Sequence, residues 1–326
     1  MPGWGFWRTG GDSALMAANG IHLRGEMAGD EDVIDEVVCM AFGSMSEANL
    51  VRLLRQHCPT FDSRYSVTAW DGNRLVGHTL LTPVEARLMG RALPALLVAP
   101  VAVVPDRQRE GIGARMLRYG HELGRREGHS LTFLKGHPAY YPRIGYRPCY
   151  GFAQMTIDSG KLPQPSVRFV RRPVQQSDLD WLVRRYAVEH ADVDFATIWG
   201  PTLGEWTLPI VDAVMWWTED GQRAAYSVAT NCGPRGKDYR LILADDPKLA
   251  CEVIATARPK MLSHHPAGWL AREVVDPEWA SPKVEASNAA MACGLQEGVL
   301  EPYLEAIASG RRQLGSGLDL LPFLLW

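Results

Sequence analysis

The six cysteines, Cys39, Cys58, Cys149, Cys232, Cys251 and Cys293, include no CxxC pair. Neither a zinc cage nor a secreted disulfide framework is therefore signalled, and a reducing, cytoplasmic setting is expected. The formal net charge is -3 and no lysine or arginine run is present, which argues against nucleic acid as the main partner, because a phosphate backbone demands a basic patch. No stretch approaches the ~18 uninterrupted apolar residues that a membrane span needs, and LDLLPFLLW at the C-terminus is too short; no membrane partner is expected. Residues 1–20 lack a basic start and a sustained apolar run, so they read as a mobile tail and not as a signal peptide. His121-Glu122 lacks the second histidine of a zinc-binding HExxH helix and His264-His265 are adjacent, so no metal is assigned.

What is present is an ordinary globular composition, 46% hydrophobic and 22% charged, over 326 residues. That length exceeds what one core usually organises and points to two units. From Ile21 the pattern reads as a short strand, an acid-led helix from Asp30 to Phe42 and a second helix from Ser46 to His57. Tyr65 to Trp70 and Arg74 to Thr82 flank Asp71-Gly72-Asn73 as a hairpin, since Asp-Gly supplies the positive φ a tight turn requires. The apolar run from Ala95 to Val104, stopped by Pro105, reads as a strand buried on both faces. An amphipathic helix follows, with Arg125 and Arg126 in its last turn and Gly128 as its stop. Strand Leu131 to Lys135, a short helix from Pro138 to Ile144 and a closing strand from Tyr150 to Ile157 complete the first unit. The second half repeats the opening of the first: Arg24, Asp30 and Asp32 match Arg172, Asp178 and Asp180 at a constant offset of 148, which suggests duplication. Trp199, Trp206, Trp216 and Trp217 read as packing aromatics.

Between the buried strand and the amphipathic helix lies Gln108-Arg109-Glu110-Gly111-Ile112-Gly113. Backbone N–H groups at a helix start are unpaired and carry the positive end of the helix dipole, so glycines that bring this backbone close make an anion site. It is not a dinucleotide fingerprint, which needs a third glycine, and no GKS or GKT marks a nucleotide P-loop. A plain strand-to-helix turn without ligand is the alternative reading of the loop taken alone.

The whole segment VAVVPDRQREGIGARML, Val101 to Leu117, followed by HPAYYPRIGY, His137 to Tyr146, resembles the GNAT superfamily of N-acetyltransferases. The resemblance covers residues 21–158 in element order, and Tyr140, Tyr141, Gly145 and Tyr146 fill the aromatic-Tyr-x-x-x-Gly-Phe/Tyr pattern. It implies a mixed α/β fold with a largely antiparallel central sheet flanked by helices. It also implies acetyl-CoA, or another short acyl-CoA, as co-substrate and a small-molecule or peptide amine as acceptor. By the resemblance, Val101, Ala102 and Val103 would border the pantetheine arm and thioester, while the backbone of Gln108, Arg109, Glu110, Gly111, Ile112, Gly113 and Ala114 would hold the pyrophosphate. Tyr141 matches the tyrosine that helps the thiolate leave. A free tyrosine near 10 against about 8.5 for a thiol makes full proton donation uphill by roughly 2 kcal/mol, so a strengthening hydrogen bond is the more economical role. Glu47, Glu85, His137 or a water chain are candidates for the general base. His78 reads as a core histidine.

The expected organisation is a tail over 1–20, a GNAT acyltransferase domain over 21–158, a linker over 159–166, and a degenerate GNAT-like domain with a C-terminal extension over 167–326. Degeneracy is expected because Leu241-Ile242-Leu243 leads through Ala244-Asp245-Asp246-Pro247 into a helix without glycine, where two carboxylates would repel a pyrophosphate. A non-catalytic acyl-CoA sensor or interaction protein is the alternative function.

Overall fold

The computed structural model describes residues 20–207, 211–231 and 237–316. Nearly all of the N-terminal tail, Cys232 and the C-terminal LDLLPFLLW lie outside these. The first half contains β1 (Ile21–Gly25), α1 (Glu31–Phe42), α2 (Ser46–His57), β2 (Ser66–Asp71), β3 (Arg74–Leu88), β4 (Arg91–Val103), α3 (Ile112–Arg126), β5 (Leu131–Lys135), β6 (Arg147–Pro148) and β7 (Tyr150–Ile157). The second contains β8 (Phe169–Pro173), α4 (Leu179–Glu189), β9 (Phe195–Ile198), α5 (Leu203–Trp206), β10 (Asp212–Thr218), β11 (Arg223–Asn231), β12 (Lys237–Leu243), α6 (Pro247–Ala257), β13 (Met261–Leu262), α7 (Trp269–Glu273), β14 (Ala280–Ala286), β15 (Ala290–Gly294), α8 (Glu301–Ala308) and β16 (Gly315–Ser316).

The architecture is mixed α/β, two largely antiparallel sheets flanked by helices. One sheet has the order β1-β2-β3-β4-β5-β15-β6 with β9 beside β3, and the other β8-β10-β11-β12-β13-β7-β14 with β16 beside β7. The second sheet thus repeats the first: β8, β10, β11, β12 and β13 follow the pairing of β1 to β5, including one parallel step, β4 with β5 and β12 with β13. The strand next to that step comes from the opposite half in both cases. β15 pairs with β5 in the first sheet, and β7, which the sequence reads as closing the first unit, pairs with β13 and β14 in the second. Alternation of apolar residues specifies that a strand is buried but not which of two similar sheets receives it.

The hairpin β3–β4 runs further than the expected strands, Arg74 to Thr82 and Ala95 to Val104, and takes in Pro83 and Pro94. The carbonyl of Pro94 accepts from the Ser130 N–H at 2.7 Å, on the β5 side, so the N–H that proline lacks would not have faced β3. Pro83 lies opposite Leu96, two residues along from the Glu85–Pro94 pair, and by the same alternation also turns its nitrogen away from the partner.

α1 buries Ile34, Val37 and Val38, one helical face, and ends at Gly43 with φ 69°. α3 lies unusually close to the sheet through its glycines: a Cβ on Gly120 would come within 2.7 Å of Leu81, and one on Gly124 within 2.8 Å of Leu96. Trp199, Trp206 and Trp216 are buried, so packing is their role, while Trp217 is partly exposed beneath Arg172 and Arg223. Among the described residues no helix is long and apolar enough to cross a membrane.

Five histidines are buried, His78, His121, His190, His264 and His265, and burial pushes His78 down to about 3 and His121 and His190 to about 4, from 6.5. The unfolded chain would bind these protons near pH 6.5 and the folded chain would not. Their full contribution to stability is therefore present above pH 6.5 and is lost as the pH falls towards 4, by up to about 1.4 kcal/mol per histidine per pH unit. The urea midpoint is expected to drop clearly between pH 7 and pH 5, with part of the drop removed by His121→Gln. A midpoint flat over that range contradicts the assignment of these groups as neutral.

Candidate active site

After Ala95–Leu97 pair in parallel with Leu131–Phe133, β4 and β5 part company. The register of β4 against β3 slips between Thr79 and Leu81, so that Ala99 and Pro100 form a bulge, and the Pro100 carbonyl accepts from the Thr79 hydroxyl at 3.0 Å. Beyond the bulge, Val104 donates to Val76 at 3.0 Å. By strand alternation Ala102 also faces β3, while Val101 and Val103 turn their backbone groups into the gap. Ala102 is thus a correction to the expectation: it is buried, paired opposite His78 and absent from the cleft. The carbonyl of Val103 is taken by the Gln108 side-chain amide, which donates at 3.1 Å. Its N–H is left facing the gap.

The gap opens into a cleft of about 780 Å³ whose walls include Val98–Val101, Val103, Gln108, Arg109, Gly111–Gly113, Gly136, His137, Tyr140 and Tyr141. At one end stands the start of α3. Arg115 donates to the Gly111 carbonyl at 3.1 Å and no side chain caps the helix, so the N–H groups of Ile112, Gly113 and Ala114 have no intrahelical partner. Arg109 has φ 69° and Gly111 φ 80°; two left-handed residues in three fold the loop into a crook of the kind that gathers N–H groups around an anion. The two glycines serve different needs. A Cβ on Gly111 would meet nothing within 4 Å, so that position needs its positive φ. A Cβ on Gly113 would lie 2.7 Å from the Tyr140 hydroxyl oxygen, so that position needs close approach. Glu110 is exposed and pairs with Arg107 at 3.0 Å.

The segment after β5 is a 3-10 turn over Tyr141–Ile144, closed by Gly145 at φ 97°, and not the longer helix expected, since Pro142 sits at its start. Tyr141 lies over Gly136, where a Cβ would come within 2.1 Å of the ring, and packs edge-on against Tyr140 and Tyr146, 5.0 and 5.6 Å between centroids. Burial pushes the Tyr141 hydroxyl up to about 12. Tyr146 is anchored beneath it: Thr132 donates to its oxygen at 2.8 Å, which leaves the phenol to donate to His121 Nε2 at 2.8 Å. This buried chain ties α3, β5 and the tyrosine turn together, a coupling invisible in the sequence because its members are non-adjacent.

Of the base candidates, Glu47 and His137 line this cleft and Glu85 does not. Glu85 lines a separate cleft of about 480 Å³ with Pro83, Leu93 and Ile198. His137 Nδ1 accepts from the Ala139 N–H at 3.2 Å, so in the neutral ring the proton sits on Nε2, which then presents a donor. Glu47, in the first turn of α2, accepts from the Ser44 hydroxyl at 3.1 Å. Phe42, Leu50, Lys135 and Arg143 also line the cleft; nothing in the local sequence of Phe42 and Leu50 marked them, because α1 and α2 reach it only through tertiary packing, while Lys135 ends β5 and Arg143 lies in the tyrosine turn. His78 is fully buried, with Nε2 2.9 Å from the Ser66 hydroxyl.

The equivalent gap of the second half is filled. β12 and β13 pair only at Tyr239 and Leu262 before diverging, and His264 occupies the space: its Nε2 accepts from the Ile242 N–H at 2.9 Å and its Nδ1 lies 2.9 Å from the Glu189 carboxylate, which also accepts from the Leu270 N–H at 2.8 Å. At the start of α6, Asp246 accepts from the N–H groups of Lys248 and Leu249 at 2.7 and 3.2 Å, and Asp245 pairs with Arg185.

The family described as "Acetyltransferase (GNAT) domain" matches residues 27–149. The chain is 37% identical over 124 residues, 37% of its length, to YjhQ of Escherichia coli, an uncharacterized N-acetyltransferase of which it covers 67%. It is 27% identical over 124 residues to YhbS, another uncharacterized N-acetyltransferase of Escherichia coli, of which it covers 72%. Crystal structures of GCN5-related N-acetyltransferases share the fold over most of the chain. One from Anabaena variabilis has a TM-score of 0.64 at 12% identity over 85% of this chain and 73% of its own, and one from Kribbella flavida 0.62 at 16% over 83% and 70%. The splayed strands, the uncapped glycine helix and these relatives agree, and the chain belongs to the GNAT family of N-acetyltransferases.

Proposed function

We propose that the chain transfers an acyl group, in the first place acetyl, from acyl-CoA to a primary amine of a small molecule or peptide, in the cleft between β4 and β5. The observation that carries this reading is the meeting of three features in one cleft: an uncapped helix start, the unpaired edge of β4, and a buried tyrosine hydroxyl. The N–H groups of Ile112, Gly113 and Ala114 and the crook from Gln108 to Gly111 bind the pyrophosphate. Val101 and Val103 meet the pantetheine arm through main-chain groups. The amine nitrogen attacks the thioester carbonyl, and a backbone N–H of β4 stabilises the oxyanion. As the intermediate collapses, the C–S bond breaks and Tyr141 donates a hydrogen bond to the departing thiolate. Glu47, directly or through water, takes the proton the ammonium must lose; the tautomer of His137 makes it the poorer acceptor.

The second half acts in this reading as a degenerate copy, because His264 with Glu189 fills the thioester gap and Asp246 occupies the helix start. One acyl-CoA per chain is expected by isothermal titration, with thiol release in the presence of an amine panel. Two bound equivalents would refute the degenerate reading, absence of binding at high micromolar acetyl-CoA the whole assignment, and binding without turnover on any amine would favour a sensor. Glu189→Ala strands the His264 Nδ1–H and the Leu270 N–H in the interior and is expected to cost about 3 kcal/mol in unfolding free energy, while the stoichiometry stays at one.

A further inference from the structure

We infer that the acceptor is a lipophilic monoamine, a single ammonium on an alkyl or aryl body, and not a polycation. This rests on the transferase reading above and deepens it. Among the residues lining the cleft, Glu47 is the only carboxylate, against Arg107, Arg109, Lys135 and Arg143. Arg107 is neutralised by Asp71 and Glu110. Arg109 stands in the crook assigned to the pyrophosphate and is offset when acyl-CoA is bound, whereas Arg143, in the tyrosine turn, has no carboxylate partner among the described residues and keeps that side of the cleft positive with one ammonium held at Glu47. A second ammonium, carried a few carbon atoms away on a diamine or an aminoglycoside, would enter that field with no carboxylate to meet it. Like-charge repulsion within several ångströms is poorly screened in a half-enclosed site.

The wall beside Glu47 is of the opposite character. Phe42, Leu50 and Val98 line it, and Met45 stands two residues before Glu47. Of the seven large apolar side chains exposed among the described residues, three, Met40 (49%), Phe42 (44%) and Met45 (42%), fall within the six residues at the end of α1 and the turn into α2. Phe42 is the one of the three that lines the cleft, and an exposed ring beside buried apolar lining marks a recognition surface. Its phenyl group, with Leu50 and Val98, suits a hydrocarbon body and offers a hydroxylated one no partner.

The discriminating pair is heptylamine and hexane-1,6-diamine, nearly isosteric molecules that differ in a terminal methyl or ammonium. With the full chain and saturating acetyl-CoA, thiol release is expected to give a kcat/KM at least tenfold higher for heptylamine, and higher for phenethylamine than for ethylamine. Phe42→Ser, at an exposed position, should raise the KM for heptylamine severalfold and leave acetyl-CoA affinity unchanged. Arg143→Gln should narrow the gap between the two amines. Equal or reversed preference for the diamine overturns the inference, as does a Phe42→Ser enzyme that retains the wild-type preference. Acetyl-CoA binding without thiol release on any of these amines brings down the transferase reading itself and the inference with it; turnover of spermidine in preference to every monoamine overturns the inference and leaves the transferase reading intact.

Discussion

Gly111→Asp is expected to weaken acetyl-CoA binding by at least a hundredfold, about 2.7 kcal/mol, whereas Gly111→Asn should stay within about tenfold of wild type. The pair separates two reasons for a glycine at this position. Gly111 holds φ 80° with open space where a Cβ would stand, and Asn and Asp are the L-residues that tolerate this conformation best. Backbone strain and bulk are therefore nearly matched between the two variants, and the remaining difference is a negative charge at the start of α3. The second half of the chain contains the same experiment already done: at the start of α6, Asp246 takes the N–H groups of Lys248 and Leu249 for its own carboxylate. Isothermal titration gives the affinities, and equal losses for Asp and Asn would mean that the anion does not sit at this helix start. Asp246→Asn is the internal control and should leave the affinity unchanged.

Tyr141→Phe should lower kcat by about a hundredfold, the lower end for a positioned proton donor, with the acetyl-CoA dissociation constant within about twofold of wild type. Burial raises the Tyr141 hydroxyl to about 12, so it remains a donor throughout the working range; the wild-type rate should show no loss attributable to this group until the pH approaches 12. The same rise makes complete transfer of its proton to a thiolate still less favourable than for a free phenol, which favours the hydrogen-bond role. Tyr140→Phe is the contrast. Its hydroxyl rests against Gly113 at the first turn of α3, so its removal should alter cofactor affinity more than turnover. A Tyr141→Phe enzyme with undiminished kcat, or a Tyr140→Phe enzyme that loses turnover alone, would reassign the donor.

The conformation of the loop from Gln108 to Gly113 was readable because it rests on local features, glycine dihedral freedom and a helix start without a capping side chain, whereas the segment around Tyr141 is a shorter turn than the helix expected. Strands β1, β2, β5 and β7 and helices α1, α2 and α3 were equally readable from period and punctuation. The long hairpin was not, since Pro83 and Pro94 act as breakers only when their missing N–H would have faced a partner strand. Nor could alternation distinguish Ala102, turned to β3, from its neighbours Val101 and Val103 in the gap; that required the register with Val76 and the bulge at Ala99 and Pro100.

The composition and the two motifs point to a mixed α/β GNAT protein with a glycine-bearing helix start after its buried strand, because each of these is encoded within a few neighbouring residues. Three matters belong to the folded molecule. Glu47 joins Tyr141 in one cleft while Glu85 is carried to another. β7 and β15 cross into each other's sheets. His264 and Glu189, 75 residues apart, close the gap that stays open in the first half. Each depends on residues far apart in the chain being packed together, and hydrophobic patterning records burial without recording the partner.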